Sequence, residues 1–362
     1  MIKVSLFANV IAEFYLKELV DIVVANELLE KRCGLYNHFY PNSKIICDIT
    51  KDEIYYEILE NALIQKCDFV IATPPCQMSV AKMNEDDPRN NLIIKAVNFI
   101  KDLEPNYVII ENVPTFFDTN IILNKKITIK DYLIQELEKY NLNMILDASD
   151  YTPQIRKRAI TLISNKSIKW NFPEKKEKIT VREAIYLPSL ENAEYSNIKY
   201  HYAKKHSQNH VLWMKHTPTK TAFENEKHFP QKENERIKFS TTYKRIDWDK
   251  PAPTITMCNA ISSQNNVHPR LFKDTYSDPR VLSLKEIFIL TGLPDNIDFP
   301  TWATDNFIRQ VIEIPPKLIK ELVLNMPKFN IKIDFKVYET KLNSLKIKNI
   351  NYKKQETLFF NI

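Results

Sequence analysis

At 362 residues, 44 % of them hydrophobic and 27 % charged, with a formal charge of +6, the chain can bury a sizeable core. It has the length for one large domain and a smaller one, which excludes a disordered or fibrous protein, while so modest a basic excess permits a nucleic-acid partner without demanding one. No apolar run is long enough to span a bilayer and the amino terminus carries no secretory pattern, so the protein is expected in the cytoplasm.

In chain order, residues 4–8 read as a first strand, 12–19 as an amphipathic helix and 20–25 as a second strand. A helix beginning near Leu28, a strand over 43–49 and a helix over 51–63 follow. The run from Asp68 is a strand, 91–103 a helix, and the run from Tyr107 a strand again. A helix over 129–140 takes Thr128 as its cap, and 144–148 and 159–164 close the series as strands. Strands alternating with helices predict an α/β fold with a doubly wound, mostly parallel sheet covered on both faces. From Lys166 to about Asn266 the apolar periodicity weakens and Lys, His, Asn and Tyr accumulate, as in residues 201–210 and 241–245. Such a stretch is a solvated, loop-rich insertion or a surface that meets phosphates and base edges. Regular pattern returns over 280–290, a helix with Ser283 as cap and Gly292 at its end. The expected organisation is a catalytic and cofactor-binding domain over 1–165, a second domain over 166–280, a hinge and return over 281–327, and a tail over 328–362. No internal repeat is present.

Five cysteines, Cys33, Cys47, Cys67, Cys76 and Cys258, lack Cys-x-x-Cys spacing, which suggests reduced thiols and neither a disulfide framework nor a zinc site. One of them stands out by its place. Asp68-Phe-Val-Ile-Ala-Thr-Pro-Pro-Cys76-Gln77 is an apolar strand stopped by two prolines, so Cys76 should sit on a loop at the strand's carboxyl end, where open α/β sheets bind ligands. Tyr107-Val-Ile-Ile-Glu111-Asn112-Val113-Pro114 repeats the design with a carboxylate, and Gln154-Ile-Arg156-Lys157-Arg158 follows a third apolar segment. Alone, Cys76 would read as a half-buried thiol and the arginines as a surface patch. Together, a thiol, a carboxylate and an arginine pair at strand ends suit attack on an electron-poor ring.

Pro74-Pro75-Cys76-Gln77, Glu111-Asn112-Val113 and Gln154-Ile-Arg156-Lys157-Arg158, in this order, resemble the DNA (cytosine-5) methyltransferases of bacterial restriction-modification systems. The likeness covers roughly residues 3–325, weakest where such enzymes carry target recognition. It implies the fold of S-adenosyl-L-methionine-dependent methyltransferases with a smaller target-recognition domain. The implied reaction moves a methyl group from S-adenosyl-L-methionine to C5 of cytosine in a specific site of double-stranded DNA and releases S-adenosyl-L-homocysteine. A monomer is expected, paired functionally and not physically with a cognate restriction endonuclease. Carried over residue by residue, Cys76 is the nucleophile, Glu111 holds the ring, and Arg156 and Arg158 reach the carbonyl oxygen and a phosphate. The cofactor falls to Phe7 and Ala8 of the first motif, Asn26, Glu27 toward the ribose, Asp48 and Ile49 toward adenine, Pro75, Leu92, and Glu313 of the last motif. A helix-terminal carboxylate is the simpler reading of Glu27. Gln77, Ser79, Lys82, Arg89, Tyr243 and Arg245 are the expected DNA contacts, with residues 78–91 as the loop that closes over a flipped base.

Other readings are a silent relative that binds without turnover and an enzyme acting on tRNA; a dinucleotide-binding dehydrogenase is disfavoured, since no Gly-x-Gly-x-x-Gly follows the first strand. Only two glycines occur, where a usual share of about 7 % would give roughly 25. The family has glycine after Val10, Gln77 and Tyr151 and on either side of Glu313, where this chain reads straight on. Either glycines are missing from the sequence as written or the protein is shortened, and inactive, at places that need a positive φ. Omission would leave Cα atoms up to about 7 Å apart at Val10–Ile11, Gln77–Met78 and Tyr151–Thr152, against about 3.8 Å for adjacent residues.

Overall fold

The computed structural model describes residues 1–75, 88–147, 149–216, 245–255, 271–272, 275–276, 279–327 and 338–345. The chain forms two compact units. The first comprises Met1–Ala148, Lys157–Pro173 and Lys320–Ile362, and the second Ser149–Arg156 and Glu174–Ile319.

The first unit is built on a seven-stranded sheet. Its strands are β1 (Ile2–Leu6), β2 (Asp21–Asn26), β3 (Lys44–Ile46), β4 (Phe69–Ala72), β5 (Tyr107–Asn112), β8 (Tyr140–Asp147) and β9 (Lys157–Asn165). They lie in the order β3-β2-β1-β4-β5-β9-β8. The first five are parallel, and β9 runs antiparallel to both β5 and β8. Every residue of β4 and β5 is buried, as expected of central strands covered on both faces and not alternating. Helices α1 (Glu30–Phe39), α2 (Asp52–Ile64), α3 (Leu92–Leu103) and α4 (Ile129–Glu136) connect the strands. Ile93, Ala96, Val97, Ile100 and Leu103 recur at three- and four-residue spacing along α3 and join Ile58, Leu59, Ala62 and Leu63 of α2 in one apolar core. Thr128 caps α4 as expected, its hydroxyl accepting the Asp131 N–H at 3.1 Å. β1 lies between β2 and β4, so the strand order reverses there and the carboxyl edge opens at a topological switch point.

Three local expectations change. The stretch over 12–19 forms only a 3-10 segment, Phe14–Glu18. The first strand stops at Leu6 because Phe7 takes a left-handed φ of 54°. A hairpin of β6 (Asn120–Ile122) and β7 (Lys126–Thr128), too short to carry a periodic signal, precedes α4. The tail gains a role: residues 338–345 are helical and pack on the first unit. There Leu345 enters the core, the Tyr338 hydroxyl donates to the Cys67 carbonyl at 3.2 Å, and Lys341 donates to the Asp102 and Leu103 carbonyls at 3.2 and 3.3 Å.

The second unit holds α5 (Val181–Ala184), α6 (Gln208–His216), a two-stranded β10 (Leu271–Phe272) and β11 (Thr275–Tyr276), α7 (Leu284–Thr291) and α8 (Asp305–Val311), and α9 (Pro316–Leu324) leads back to the first. Of the stretch read from sequence as a hinge and return over 281–327, residues 281–319 belong to this unit and 320–327 to the first. The reason is a buried fork in which the Arg280 guanidinium meets both Glu286 oxygens at 2.7 and 2.9 Å and also donates to the Leu190 carbonyl. Ser283 caps α7 and Gly292 ends it at φ 78°, both as expected. No helix among the described residues is long and apolar enough to cross a membrane.

Candidate active site at the carboxyl edge of the sheet

Five parallel strands end on one edge, and short polar side chains lace those ends together. Asn112, last in β5, donates through Nδ2 to the Pro74 carbonyl at 2.7 Å. Thr73, after β4, donates its hydroxyl to the Phe7 carbonyl at 2.6 Å. Phe7, after β1, gives its N–H to Asn26 Oδ1 at 3.3 Å, and Asn26 Nδ2 donates to the carbonyls of Ile46 and Cys47 at the end of β3. The first-motif loop is also held from beneath. Buried Glu13 accepts from the Ser5 hydroxyl and from the Tyr36 hydroxyl at 2.9 Å, and pairs with the Lys3 ammonium at 2.6 Å. Burial pulls the pKa of Lys3 down, and Glu13 opposes that shift. Tyr40 donates to the Val10 carbonyl at 2.8 Å, and Asn9 Oδ1 accepts the Ala12 N–H at 3.1 Å across the turn.

Along this edge the residues expected to hold a cofactor fall in sequence. Phe7 and buried Ala8 follow β1, Asn26 ends β2, and Glu27 comes next. One Glu27 oxygen accepts the Leu29 N–H at 2.8 Å, at the start of α1. Asp48, two residues past β3, accepts both the hydroxyl and the N–H of Thr50 on Oδ1, at 2.6 and 3.1 Å. Those bonds hold its pKa below the usual carboxylate range, so it is charged at neutral pH. Ile49 packs into the core, Pro75 is exposed and Leu92 is half-buried at the head of α3. Glu313 lies in the second unit, half-buried after α8.

Glu111 and Arg158 meet at the same edge. β9 runs back along β5 with Asn112 opposite Ala159, so Arg158, one residue before Ala159, lies where β5 ends. Its Nε stands 2.8 Å from Glu111 Oε1, with both side chains almost wholly buried. Arg156, by contrast, is engaged within the second unit, donating to the Ile255 carbonyl at 2.7 Å and to Gln154 Oε1 at 3.2 Å. Arg245, expected on DNA, is 2 % exposed and donates to the Met214 carbonyl, so its guanidinium ties down α6 and does not present itself to a phosphate. Arg89 is exposed. Cys76, Gln77, Ser79, Lys82 and Tyr243, with most of loop 78–91, lie outside the described residues.

The profile of the C-5 cytosine-specific DNA methylases matches residues 4–328. This chain belongs to that family. Among curated relatives of this methylase, the Type II methyltransferase M1.HgaI of Avibacterium volantium is 47 % identical over 88 % of this chain and 96 % of its own. The Type II methyltransferase M1.HphI of Haemophilus parahaemolyticus is 27 % identical over 48 % of this chain and 49 % of its own. Solved structures share the fold. A putative DNA modification methyltransferase encoded within an E. coli prophage superposes with a TM-score of 0.61 at 19 % identity, covering 90 % of this chain and 97 % of that one. A mutant DNMT2 of Spodoptera frugiperda gives 0.58 at 14 % identity, covering 90 % and 98 %. The chain is therefore a DNA (cytosine-5-)-methyltransferase with the methyltransferase fold, and DNA is its substrate. In this methylase, sequence reasoning passed over Thr73 as a site residue and left Asn112 without a role. The available signal was their position, each a short polar side chain at the close of an apolar strand.

Proposed function

We propose that this methylase acts on double-stranded DNA in the cytoplasm, flips a target cytosine out of the duplex and attacks it with Cys76. The observation that carries the reading is the join at the carboxyl edge. The strand that bears Glu111 is tied through Asn112 to the Pro74 carbonyl, two residues before Cys76, while Arg158 pairs with Glu111 at 2.8 Å. C5 of cytosine is too weak a nucleophile unaided. A Cys76 thiolate adding at C6 raises electron density at C5; after methylation, loss of the C5 proton and expulsion of the thiolate restore the ring. Glu111, held by Arg158, lies at the strand end to engage N3 and the exocyclic amine, and Arg158 offers a charge-assisted bond toward the carbonyl oxygen. Because that carbon is stacked inside a duplex, extrusion of the base is part of the reading, with loop 78–91 closing over it.

The donor set at the edge fits S-adenosyl-L-methionine. Glu27 at the end of β2 suits ribose hydroxyls, and ionised Asp48 past β3 suits an adenine amino group. Bound there, the cofactor supplies an electrophilic methyl group and leaves as S-adenosyl-L-homocysteine. Phe7 and Ala8 lie beside the switch point, with Ile49, Pro75 and Leu92 completing the proposed set in the first unit. The Type II relatives are consistent with functional pairing to a cognate restriction endonuclease, and a monomeric methylase completes the proposal.

Bisulfite sequencing of both DNA and tRNA from cells expressing the chain tests this reading. One recurring sequence should carry protected cytosines, and none should appear with Cys76→Ser. Protection confined to tRNA would move the substrate to RNA, and protection in neither polymer would favour a silent relative.

A further inference from the structure

We propose that Asn26 is a positioning residue: one buried amide sets the cofactor loops of three neighbouring strands and donates nothing to the cofactor itself. The inference rests on the cofactor reading above and reassigns a residue expected there as a contact. Asn26 ends β2 and is 2 % exposed. A primary amide has two N–H donors. Here the Asn26 Nδ2 donates to the Ile46 carbonyl at 3.1 Å and to the Cys47 carbonyl, so the amide nitrogen is turned on the end of β3. Oδ1 accepts the Phe7 N–H, and the Asn26 main-chain carbonyl accepts the Ala8 N–H at 2.7 Å.

Each bond leads to a loop with a proposed cofactor role. Ile46 and Cys47 run into Asp48 and Ile49, Phe7 and Ala8 open the first motif, and Glu27 follows Asn26 directly. The tie to Phe7 matters most, because a left-handed φ at a non-glycine residue is strained and must be held by its surroundings. Phe7 is held on both sides, by Asn26 at its N–H and by Thr73 at its carbonyl. Asparagine suits this position because it combines an acceptor for one loop with two donors for another. Aspartate keeps the acceptor but turns a second oxygen on two carbonyls; serine is too short to span the three strands.

The test uses the full chain. Calorimetric titration with S-adenosylhomocysteine, and steady-state methylation of DNA at varied S-adenosylmethionine, are run on the wild type, Asn26→Asp and Asn26→Ser, with thermal melts alongside. Both variants should raise the Kd and the KM for cofactor about 10- to 100-fold, as when a group that orients ligand contacts from behind is removed. The kcat at saturating cofactor and the Kd for DNA should stay within about twofold. Wild-type cofactor affinity in a folded variant would overturn the proposal. So would a kcat that falls with the folded fraction at unchanged KM, which marks a scaffold residue and nothing more. Should Asn26→Asp not fold, Asn26→Ser carries the same comparison. A wild type that binds no S-adenosylhomocysteine would instead sink the cofactor reading, and the role of Asn26 with it.

Discussion

The two edges of the seven-stranded sheet are held in different ways. At the carboxyl edge, side-chain amides and a hydroxyl from Asn26, Asn112 and Thr73 bond loop backbone, and a buried ion pair joins Glu111 to Arg158. At the amino edge the Tyr107 hydroxyl donates to the Pro327 carbonyl at 2.6 Å, and further ties come from chain that lies beyond the matched family region. Tyr338 reaches the carbonyl just before β4, and Lys341 reaches the last carbonyls of α3 and the Glu104 carboxylate at 2.5 Å. A cation on the closing carbonyls of a helix is a C-terminal cap that also meets the negative end of the dipole. The contrast implies a division of labour. Polar groups at the carboxyl edge hold loops at a spacing that chemistry requires, while those at the amino edge hold elements together. Substitutions at the first edge should therefore appear in turnover or cofactor affinity and at the second in stability.

The sharpest way to break that division is Cys76→Ser. A hydroxyl is far less ionised than a thiol near neutral pH, and losing a covalent nucleophile costs on the order of 10⁴-fold or more in kcat. Methyl transfer should vanish in a radiolabel assay while DNA binding persists, since phosphate contacts do not need the thiol. Appreciable turnover would remove Cys76 from its role. Glu111→Gln comes next. It keeps the shape but leaves Arg158 buried without its anion, so kcat should fall about 10²- to 10⁴-fold with S-adenosylhomocysteine affinity little changed. A collapse of cofactor affinity would instead assign Glu111 to another site.

At the amino edge, Leu345→Ala truncates a side chain that is 6 % exposed and part of the main core. The expected loss is about 2 kcal/mol, read as a lower urea midpoint, with kcat of the folded enzyme unchanged. A kcat that dropped at full folding would show that the two edges are coupled and break the comparison.

How much of this could be read from the chain depends on what kind of signal each part leaves. The strands of the parallel sheet are continuous apolar runs, so β4 and β5, and Glu111 at the close of β5, were legible. Caps were legible too, because Thr128 and Ser283 act on residues three positions away. What stayed hidden depends on partners distant in sequence. Nothing near Arg245 shows that Met214 takes its guanidinium, and nothing near Lys341 shows the end of α3. The same holds for Asn26, whose amide reads as a ligand contact until its two carbonyl partners, 20 and 21 residues away, are placed.

The smallest expected effect compares two helix ends and bears on the scarcity of glycine. α7 closes with Gly292 in the left-handed region; its N–H bonds the Ile289 carbonyl at 3.1 Å and the Leu293 N–H bonds the Phe288 carbonyl at 2.8 Å. α2 closes with the same pair of bonds, Lys66 N–H to the Leu63 carbonyl at 3.0 Å and Cys67 N–H to the Ala62 carbonyl at 2.9 Å, but with lysine at φ 55°. This is the Schellman arrangement, in which the left-handed position favours glycine because a Cβ crowds the backbone there. Lys66→Gly relieves that strain of about 1–2 kcal/mol and gives back part of it through the freer unfolded chain. A net gain of roughly 0.5–1 kcal/mol should result, seen as a higher urea midpoint with turnover untouched, since the site lies at the amino edge. Gly292→Ala should go the other way: its Cβ would meet Lys317 Cδ at 3.0 Å and Thr152 Cγ2 at 3.1 Å, on a backbone already strained for any side chain. If Lys66→Gly lowered the midpoint, the lysine side chain would have to stabilise that helix end by more than its backbone costs.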